Sequence, residues 1–560
     1  MSRIKDPHPG GPVVRVEDLN VSFDGRQVVQ GLSFTVHPGE CLALVGESGS
    51  GKSVTARALM GLAGPGSVVQ AGALEVAGRD GRALSQRNWR ELRGNKVGLI
   101  LQDALTSLDP LRTVGREIDD ALRLHSKMSA SARAARVIDL LESVGLDDPA
   151  RRARQRSGEL SGGMRQRALI ASALALDPAL IIADEPTTAL DATIAASVMD
   201  LLGQLRQAGS GMLLISHDLA TVAAVADTIA VMAAGRIVEH GPRTQLLEDP
   251  QHPYTQALLA AVPAGKPRFM RLSPAPPATP GAPGAPASGA KGPATAVRTQ
   301  TTPVLRASGL VKSFRTGKST DFPAVRGVDF ELLPGRTLGV VGESGSGKTT
   351  TARMVLGLLT PDAGTVELFG KPWSGVPESA RRSRRSELGA IYQDPLSSFD
   401  PRFSVAALLA DALSGGATRN PRAWAGQITE LLQLVGLTPE TADRRPATLS
   451  GGQRQRLAIA RALAPKPQLL ICDEPVSALD VSIQAQVLDL LDALQQRLGL
   501  SYLFISHDLS VIRHMSDDVL VMRAGEVVES GATETVFNNP QHQYTRALLG
   551  AAPLEHPRGH

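Results

Sequence analysis

Two nearly identical glycine-rich stretches carry the residue types that a phosphate-binding loop needs. Each has a glycine, four residues and then Gly-Lys-Ser or Gly-Lys-Thr, between an apolar run and a helix-forming run. The glycines let backbone N–H groups approach phosphate oxygens, and the helix adds the positive end of its dipole. The lysine supplies a cation for the phosphates, and the hydroxyl can ligate Mg²⁺. The stretches are Gly46-Glu47-Ser48-Gly49-Ser50-Gly51-Lys52-Ser53 and Gly342-Glu343-Ser344-Gly345-Ser346-Gly347-Lys348-Thr349-Thr350.

Each half of the chain also places two carboxylates and a histidine after apolar, strand-like runs. An aspartate at such a strand end can hold Mg²⁺ through water, and the next glutamate can polarise a water molecule for attack on phosphorus. A lone histidine is usually structural, but its recurrence after a strand in both halves favours contact with a γ-phosphate. The residues are Asp184, Glu185 and His217 in the first half and Asp473, Glu474 and His507 in the second.

A strand-tip glutamine and a second glycine-rich motif complete each set. The glutamines are Gln102 and Gln393. The motif Leu-Ser-Gly-Gly opens an alanine-rich helix, whose N-terminus is a further site for an anion. Because each half already has a phosphate-binding loop, this motif is expected to serve a nucleotide that is bound elsewhere. The motif residues are Ser161, Gly162, Gly163 and Met164, and then Ser450, Gly451, Gly452 and Gln453.

The motifs recur in the same order, and the repeat is as long as a domain. The separation from Ser161 to Asp184 equals that from Ser450 to Asp473, whereas the separation from lysine to glutamine differs between the halves. The spacing between the Leu-Ser-Gly-Gly motif and the carboxylates is therefore the same in both halves, and the region between the phosphate loop and the glutamine varies in length.

Length and composition fit two domains joined by a linker. The chain has 560 residues, 42% of them hydrophobic, which is enough for two cores. Residues 264–303 are rich in proline, alanine and glycine and are expected to be disordered, with nothing to bury. We predict one nucleotide-binding domain at residues 1–263 and another at 304–560. The net charge of +4 is too mild to indicate a nucleic-acid partner.

The sequence gives no sign of a membrane span or a secretory signal. No apolar run reaches the roughly 18 residues that a membrane helix needs, and the N-terminus has no signal-peptide core. Cys41 and Cys472 lie in apolar strands beside phosphate-site motifs and are expected to be core residues, with no disulfide or metal role. We expect a soluble or membrane-peripheral protein in a reducing compartment.

Residues 13–40 alternate apolar and polar side chains, which predicts strands. Phe23 lies among them and precedes the first phosphate loop. It could be a core residue or could stack on an adenine base, and we favour stacking.

This ordered set resembles the nucleotide-binding subunits of ABC transporters over about residues 13–263 and 304–553. The resemblance implies an α/β fold class with two P-loop ABC-type nucleotide-binding domains, each with an antiparallel β subdomain and a helical subdomain. It implies ATP and Mg²⁺ as cofactors. The phosphate loops would be Walker A motifs, the Leu-Ser-Gly-Gly motifs signatures and the carboxylate strands Walker B motifs. In this family two domains pair head to tail, so that each ATP lies between the Walker A motif of one domain and the signature of the other.

The resemblance also implies roles for single residues. The catalytic residues would be Glu185, Glu474, the switch histidines His217 and His507, and the Q-loop residues Gln102 and Gln393. The metal ligands would be Ser53, Thr349, Gln102, Gln393, Asp184 and Asp473. The D-loops would reach Asp191 and Asp480. Adenine would stack on Phe23 in the first half and on Phe314 in the second, where Phe322 is an alternative. Met164 replaces the usual signature glutamine, but the serine and glycine N–H groups make the principal phosphate contacts, so this site is expected to remain active.

A finer resemblance is to the ATPases of oligopeptide/dipeptide importers. It rests on the string VGESGSGKS, on Gln393–Pro401 and on two tails, His252-Pro253-Tyr254-Thr255 and His542-Gln543-Tyr544-Thr545. A plainer interpretation of the tails is an amphipathic terminal helix. Some relatives carry a cysteine-ligated iron–sulfur cluster after the first tail. This chain has no cysteine there, so no cluster is expected.

The resemblance implies an ATPase that energises import of peptides or related solutes from the cytoplasmic face of the inner membrane. Its partners would be two membrane permease subunits and a solute-binding protein, with no nucleic acid, and its halves would pair within one chain. A tandem sugar-importer ATPase is the nearer alternative, weakened by the peptide-type tails. A soluble ABC-F-type translation factor is the alternative from another class. Those factors have a long charged helical linker, which a proline-rich linker cannot form.

Overall fold

The computed structural model describes residues 11–101, 107–187, 190–274, 302–316, 320–477 and 479–551. The chain divides into two compact units, Met1–Leu259 and Ala260–His560. Within the described residues each unit contains one antiparallel sheet and one six-stranded, mainly parallel sheet.

The strands of the first unit form the two sheets in an interleaved order. They are β1 (Val14–Phe23), β2 (Arg26–Val36), β3 (Cys41–Val45), β4 (Ser67–Gln70), β5 (Ala73–Val76), β6 (Arg79–Asp80), β7 (Val97–Ile100), β8 (Leu180–Asp184), β9 (Gly211–Ser216), β10 (Thr228–Ala233) and β11 (Arg236–Pro242). The antiparallel sheet has the order β2-β1-β5-β6, with β4 also paired to β1. The second sheet has the order β11-β10-β3-β9-β8-β7.

The second sheet of the first unit is parallel except for β11, which runs antiparallel to β10. Every residue of β3, β8 and β9 is buried, as expected for parallel strands that are covered on both faces. The register pairs Val45 with Ser216, and Asp184 with Ile215. The carboxyl ends of these three strands therefore meet at one edge of the sheet.

The helices of the first unit cover this sheet. The α-helices span Lys52–Ala58, Gln86–Leu92, Val114–His125, Ala130–Ser143, Pro149–Arg152, Gly162–Ala173, Ala192–Gln207, Leu219–Ala223, Arg243–Glu248 and Pro253–Ala261. Short 3₁₀ helices span Gly81–Ala83 and Ser157–Glu159.

The second unit repeats the arrangement. Its strands are β12 (Leu305–Thr316), β13 (Thr320–Leu332), β14 (Thr337–Val341), β15 (Ala363–Leu368), β16 (Lys371–Pro372), β17 (Leu388–Ile391), β18 (Leu469–Asp473), β19 (Ser501–Ile505), β20 (Asp518–Arg523) and β21 (Glu526–Ala532). The antiparallel sheet has the order β13-β12-β15-β16, and the other sheet has the order β17-β18-β19-β14-β20-β21.

The helices of the second unit follow in a similar order along the chain. The α-helices span Lys348–Val355, Glu378–Arg382, Val405–Leu413, Ala425–Leu434, Gly451–Leu463, Val481–Leu498, Leu509–Met515, Thr533–Asn538 and Gln543–Gly550. Short 3₁₀ helices span Arg385–Glu387, Pro421–Trp424, Pro439–Asp443 and Pro446–Thr448.

Each unit has two hydrophobic cores, one on each face of its parallel sheet. In the first unit, Leu42 and Leu44 of β3 belong to the core beneath the antiparallel sheet, while Ala43 and Val45 belong to the core beneath the helices. This confirms the predicted α/β fold class, with an antiparallel β subdomain and a helical subdomain in each domain. Both cysteines are buried free thiols. No helix in the described ranges is long and apolar enough to span a membrane.

The residues after helix Pro253–Ala261 pack on the second unit. Leu272 is 1% exposed and belongs to the helical core of that unit. The N–H groups of Leu272 and Ser273 both donate to Asp489 at 2.9 Å, and Arg268 forms an ion pair with Asp517. The expectation that the whole of 264–303 has nothing to bury therefore does not hold for Leu272. Residues 275–301 of this predicted linker lie outside the described ranges.

Candidate functional site

The first phosphate loop, residues 46–53, connects β3 to helix Lys52–Ala58. A Cβ atom at Gly46 would lie 2.2 Å from the backbone oxygen of Met232. Gly51 caps the helix with a left-handed φ of 103°, and a Cβ there would lie 3.1 Å from the backbone oxygen of Val28. Neighbouring backbone occupies the space of a side chain at Gly46, and the left-handed φ favours glycine at Gly51.

The second phosphate loop, residues 342–349, repeats this geometry. A Cβ at Gly342 would lie 2.1 Å from the backbone oxygen of Met522. A Cβ at Gly347, which also has a φ of 103°, would lie 2.5 Å from the backbone oxygen of Ala324. The two loops are therefore alike in conformation as well as in sequence.

The loop lysines are buried and point into their own loops. Lys52 is 5% exposed, and its Nζ donates to the backbone oxygens of Gly46 at 2.6 Å and Glu47 at 2.9 Å. Lys348 is 6% exposed and donates to the corresponding oxygens of Gly342 and Glu343 at 2.6 and 2.8 Å. Each unit thus holds one desolvated cation where the loop closes, a position suited to an anionic phosphate.

The loop hydroxyls meet the first carboxylate of each pair. Ser53 Oγ donates to Asp184 Oδ1 at 3.0 Å, and Thr349 Oγ1 donates to Asp473 Oδ1 at 3.3 Å. Burial raises the pKa of Asp184, against the effect of the Ser53 hydrogen bond. Burial also raises the pKa of Asp473, and the charge of Glu474 adds to it. A hydroxyl and a buried carboxylate are hard oxygen donors of the kind that Mg²⁺ prefers.

The second carboxylate of each pair contacts the histidine that follows the next strand. His217 Nδ1 lies 3.3 Å from Glu185 Oε2, and His507 Nδ1 lies 3.2 Å from Glu474 Oε2. Burial raises the pKa of Glu474, but the hydrogen bond and charge of His507, with the charge of Lys348, outweigh it and the pKa is lowered. Glu474 is therefore ionised near neutral pH, as a group that polarises water must be.

The glutamine of the second unit joins the same cluster. Gln393 Nε2 donates to Glu474 Oε2 at 2.8 Å. Gln393 follows β17 by two residues, so the parallel sheet positions it at the same edge as Asp473. Gln102, its predicted counterpart in the first unit, lies outside the described residues.

The two Leu-Ser-Gly-Gly motifs open helices as predicted. Ser161 Oγ accepts from the N–H of Met164 at 3.4 Å, and Ser450 Oγ accepts from the N–H of Gln453 at 3.3 Å. The side chain of Gln453 also accepts from the N–H of Ser450 at 3.1 Å. This capping box needs a glutamine or glutamate, so methionine at position 164 cannot form it.

The two glycines of each motif have different environments. A Cβ at Gly163 would lie 2.6 Å from Ile194, and one at Gly452 would lie 2.7 Å from Ile483. These second glycines therefore permit close packing against the helices that follow Asp191 and Asp480. Among the residues that the structure describes, nothing lies within 4 Å of a Cβ built at Gly162. At Gly451 the only contact within that distance is Leu479, at 3.7 Å. The first glycine of each motif thus faces open space within its own unit.

The predicted adenine-stacking residues lie at strand ends. Phe23 ends β1 and is half-buried against the core of the antiparallel sheet. Phe314 and Phe322 are directly opposite each other on β12 and β13, and both are exposed, at 42% and 53%. The structure places the two candidates of the second unit side by side, so the alternative between them stays open.

Two tyrosines that were not predicted as site residues contact the phosphate loops. Tyr254 Oη accepts a hydrogen bond from the N–H of Glu47 at 3.3 Å, and Tyr544 Oη accepts one from the N–H of Glu343 at 3.2 Å. Both belong to the repeated tails. The recurrence of His-x-Tyr-Thr in both tails was the available signal, but a spacing of some two hundred residues from the loops does not reveal a contact.

Comparison with protein families finds two matches, each repeated in both units. The family described as ABC transporter matches residues 29–188 and 325–477. The C-terminal region of oligopeptide/dipeptide transporters matches residues 238–289 and 528–560. The second match includes both tails.

Several proteins of assigned function are 42% identical to this chain over nearly its whole length. The oligopeptide transport ATP-binding protein OppD of Mycobacterium tuberculosis aligns with 98% of this chain and 99% of its own. The peptidoglycan transport ATP-binding protein YejF of Agrobacterium fabrum aligns with 97% and 96%. The glutathione import ATP-binding protein GsiA of Escherichia coli aligns with 99% and 91%.

Among solved structures, an archaeal ribosome recycling factor in complex with a ribosomal stalk protein resembles this chain. The similarity covers 90% of this chain and 88% of the other, with a TM-score of 0.57 and 21% sequence identity. At this identity the likeness concerns the fold alone.

Proposed function

Because this chain belongs to the ABC transporter family, we propose that it is the ATPase subunit that energises import of peptides or related solutes through separate membrane permease subunits. Family membership makes the chain an ATP-binding protein and an ATPase. The relatives above are named for transport of oligopeptides, peptidoglycan and glutathione. Since those names give three solutes, the proposal stays at the class of peptides and related solutes.

One observation carries the assignment of the site. In both units a buried lysine, a hydroxyl, two carboxylates and a histidine converge at the carboxyl edge of the parallel sheet. The same five groups in the same contacts, twice in one chain, support a shared function over a chance arrangement. ATP is therefore proposed to bind with its phosphates in the loops of Lys52 and Lys348.

The chemistry follows from the charges of the second unit. Lys348 neutralises negative charge on the phosphates. Glu474 polarises the attacking water, because its lowered pKa keeps the carboxylate ionised. His507 and Gln393 both contact Glu474 Oε2 and hold that carboxylate in place. Attack on the γ-phosphorus breaks its bond to the β–γ bridging oxygen and releases phosphate and ADP. Glu185 and His217 have the same roles in the first unit.

Mg²⁺ fits the oxygen pair in each unit. Ser53 with Asp184, and Thr349 with Asp473, would hold the ion, and Gln102 and Gln393 complete the proposed ligand set. The raised pKa values of the two buried aspartates fit this role, since a bound divalent cation would stabilise their charged forms. When bound, the ion would neutralise charge on the phosphate oxygens.

Each ATP is further proposed to lie between the two halves of the chain. The support is that Gly162 and Gly451 have open space beside them in their own units, next to helix N-termini that attract anions. A nucleotide in the Lys52 loop would meet the Ser450 motif, and one in the Lys348 loop would meet the Ser161 motif.

The proposed partners are two permease subunits and a solute-binding protein, with the ATPase on the cytoplasmic face of the inner membrane. The segments just after Gln102 and Gln393 are proposed to contact the permease. A sugar importer remains the alternative of the same class, and the match of both tails to the oligopeptide/dipeptide region argues against it. A translation factor remains the alternative of another class, and the transport relatives over nearly the full length argue against it.

Purification from the native host tests this proposal. The chain should copurify with two membrane proteins, and peptides added with the solute-binding protein should stimulate ATP turnover of that complex. Stimulation by sugars alone would favour the alternative importer. Copurification with ribosomes in place of membrane proteins would contradict the proposal.

A further inference from the structure

The peptide bond that begins each phosphate loop is held at both ends. Its carbonyl, on Gly46, accepts from Lys52 at 2.6 Å, and its N–H, on Glu47, donates to Tyr254 Oη at 3.3 Å. A peptide unit is planar, so fixing the N–H also fixes the direction of the carbonyl. Tyr254 therefore orients the group that holds Lys52.

The second unit shows the same bridge independently. The carbonyl of Gly342 accepts from Lys348 at 2.6 Å, and the N–H of Glu343 donates to Tyr544 Oη at 3.2 Å. Glycine precedes the N–H in both loops, and this residue has the backbone freedom to let the peptide rotate. The tyrosine hydroxyl thus supplies a hydrogen bond from outside the loop to the peptide whose carbonyl holds the lysine.

The tyrosines are carried by a braced segment. In the first tail the carboxylate of Glu239 accepts from the N–H groups of Gln251 and His252 at 2.7 and 3.2 Å. His252 Nδ1 then accepts from the N–H of Tyr254 at 3.2 Å. Glu239 lies on β11, the edge strand of the sheet whose strand β3 leads into the phosphate loop.

The second tail has the same brace. Glu529 accepts from the N–H groups of Gln541 and His542 at 2.7 and 3.0 Å, and His542 Nδ1 accepts from the N–H of Tyr544 at 3.1 Å. Tyr544 is 6% exposed, and Arg523 lies over its ring at 4.9 Å. The tail is therefore built to hold the phenol in one place against the loop.

We propose that Tyr254 and Tyr544 are positioning residues of the two ATP sites, which hold the phosphate loops ready for nucleotide. The proposal rests on the placement of ATP phosphates in the Lys52 and Lys348 loops. It gives the oligopeptide/dipeptide-type tail a role in nucleotide affinity. A loop that is already ordered loses less conformational entropy when it binds, so the hydroxyl increases affinity without touching ATP.

Removal of the two hydroxyls tests the proposal in the full-length chain. The Tyr254→Phe/Tyr544→Phe variant keeps both rings and removes the two hydroxyls that accept from the loop N–H groups. ATP binding by calorimetry should weaken about three- to tenfold, the effect of one hydrogen bond at each site. The KM for ATP should rise by the same factor, and kcat should change less than twofold.

Tyr502→Phe is the matched control. Tyr502 is fully buried and donates to the backbone oxygen of Leu491 at 2.8 Å, and it pairs with Thr337, at the start of β14 and remote from the loop. This variant should lower the thermal unfolding temperature without changing ATP affinity or KM. A shift in unfolding temperature alone would thus identify a structural role.

The possible outcomes distinguish a failure of the tyrosine positioning role from a failure of the proposed ATP site. If Lys52→Ala/Lys348→Ala abolishes ATP binding and the tyrosine variant binds ATP as the wild type does, the positioning role is wrong and the ATP site stands. If the lysine variant binds ATP as the wild type does, the proposed site itself is wrong. The single variants Tyr254→Phe and Tyr544→Phe give the same comparison at one site each, should the double variant fail to fold.

Discussion

Glu185 and Glu474 both have a left-handed backbone, with a φ of 49°, directly after a buried strand. Residues other than glycine rarely adopt this conformation, and it costs of order 1–3 kcal/mol where the surrounding structure enforces it. Here it turns the chain so that the carboxylate meets His217 or His507. The sequence indicated both glutamates from their place after an aspartate at a strand end. It did not indicate the strained turn, which arises from tertiary packing.

The contact between His507 and Glu474 predicts a pH effect. His507 lowers the pKa of Glu474, so His507→Ala should raise that pKa. Since the carboxylate must be ionised to polarise water, the acidic limb of ATP turnover should move to higher pH. The measurement is the pH profile of kcat in a Glu185→Gln background, where the second site supplies the turnover.

His240→Ala is the control for that profile, since His240 is exposed on the edge strand β11. In the Glu185→Gln background, the His240→Ala variant should have the same acidic limb of the pH profile as the Glu185→Gln parent. An unchanged limb in His507→Ala, or a limb displaced to lower pH, would show that His507 does not set the ionisation of Glu474.

At the scale of elements, the strands beside the motifs were predictable and the packing of the linker was not. Cys41–Val45 was predicted as a strand and is one, because five consecutive apolar residues between Glu40 and Gly46 leave little ambiguity. The segment 264–273 was predicted as linker together with the proline-, alanine- and glycine-rich stretch that follows it, so its sequence did not predict that Leu272 is buried or that Arg268 pairs with Asp517.

Residues 262–274, which pack on the second unit, contain two arginines whose replacement should have different effects on stability. Arg268 is 14% exposed, pairs with Asp517 and donates to Gln495 at 2.6 Å, so Arg268→Ala should destabilise the docking by about 3 kcal/mol. Arg271 is 45% exposed and lies 3.9 Å from Asp489, so Arg271→Ala should cost less than about 1 kcal/mol. Hydrogen exchange of residues 262–274 should accelerate strongly in the first variant and little in the second. Equal protection in both would disprove the anchoring role of Arg268.

At the scale of the molecule, the repeat predicted two domains with the same fold, and the structure confirms the fold in both units. Pairing of the halves could not be derived from either unit alone. It follows only from the proposal that each Leu-Ser-Gly-Gly motif serves a nucleotide held by the opposite loop. Gly162 and Gly451 supply the means of testing it, because a side chain fits at either position without disturbing its own unit.

The pairing proposal predicts which double variants remove one site and which remove both. Aspartate at Gly162 or Gly451 adds negative charge where phosphate would bind. In a Glu185→Gln/Glu474→Gln background that retains ATP, Lys52→Ala with Gly451→Asp should leave one ATP per chain. Lys52→Ala with Gly162→Asp should leave none. If each site were complete within one unit, Lys52→Ala with Gly451→Asp would leave no bound ATP, and Lys52→Ala with Gly162→Asp would leave one ATP per chain.

Solute uptake by vesicles tests the central claim, that ATP hydrolysis at Glu185 and Glu474 drives peptide import. Proteoliposomes should contain the copurifying permease, with this chain and ATP on one side and the solute-binding protein and labelled peptide on the other. The wild-type chain should accumulate peptide with ATP consumption, each single glutamate-to-glutamine variant should do so more slowly, and the double variant should do neither. Peptide accumulation at the wild-type rate by Glu185→Gln/Glu474→Gln would contradict the account.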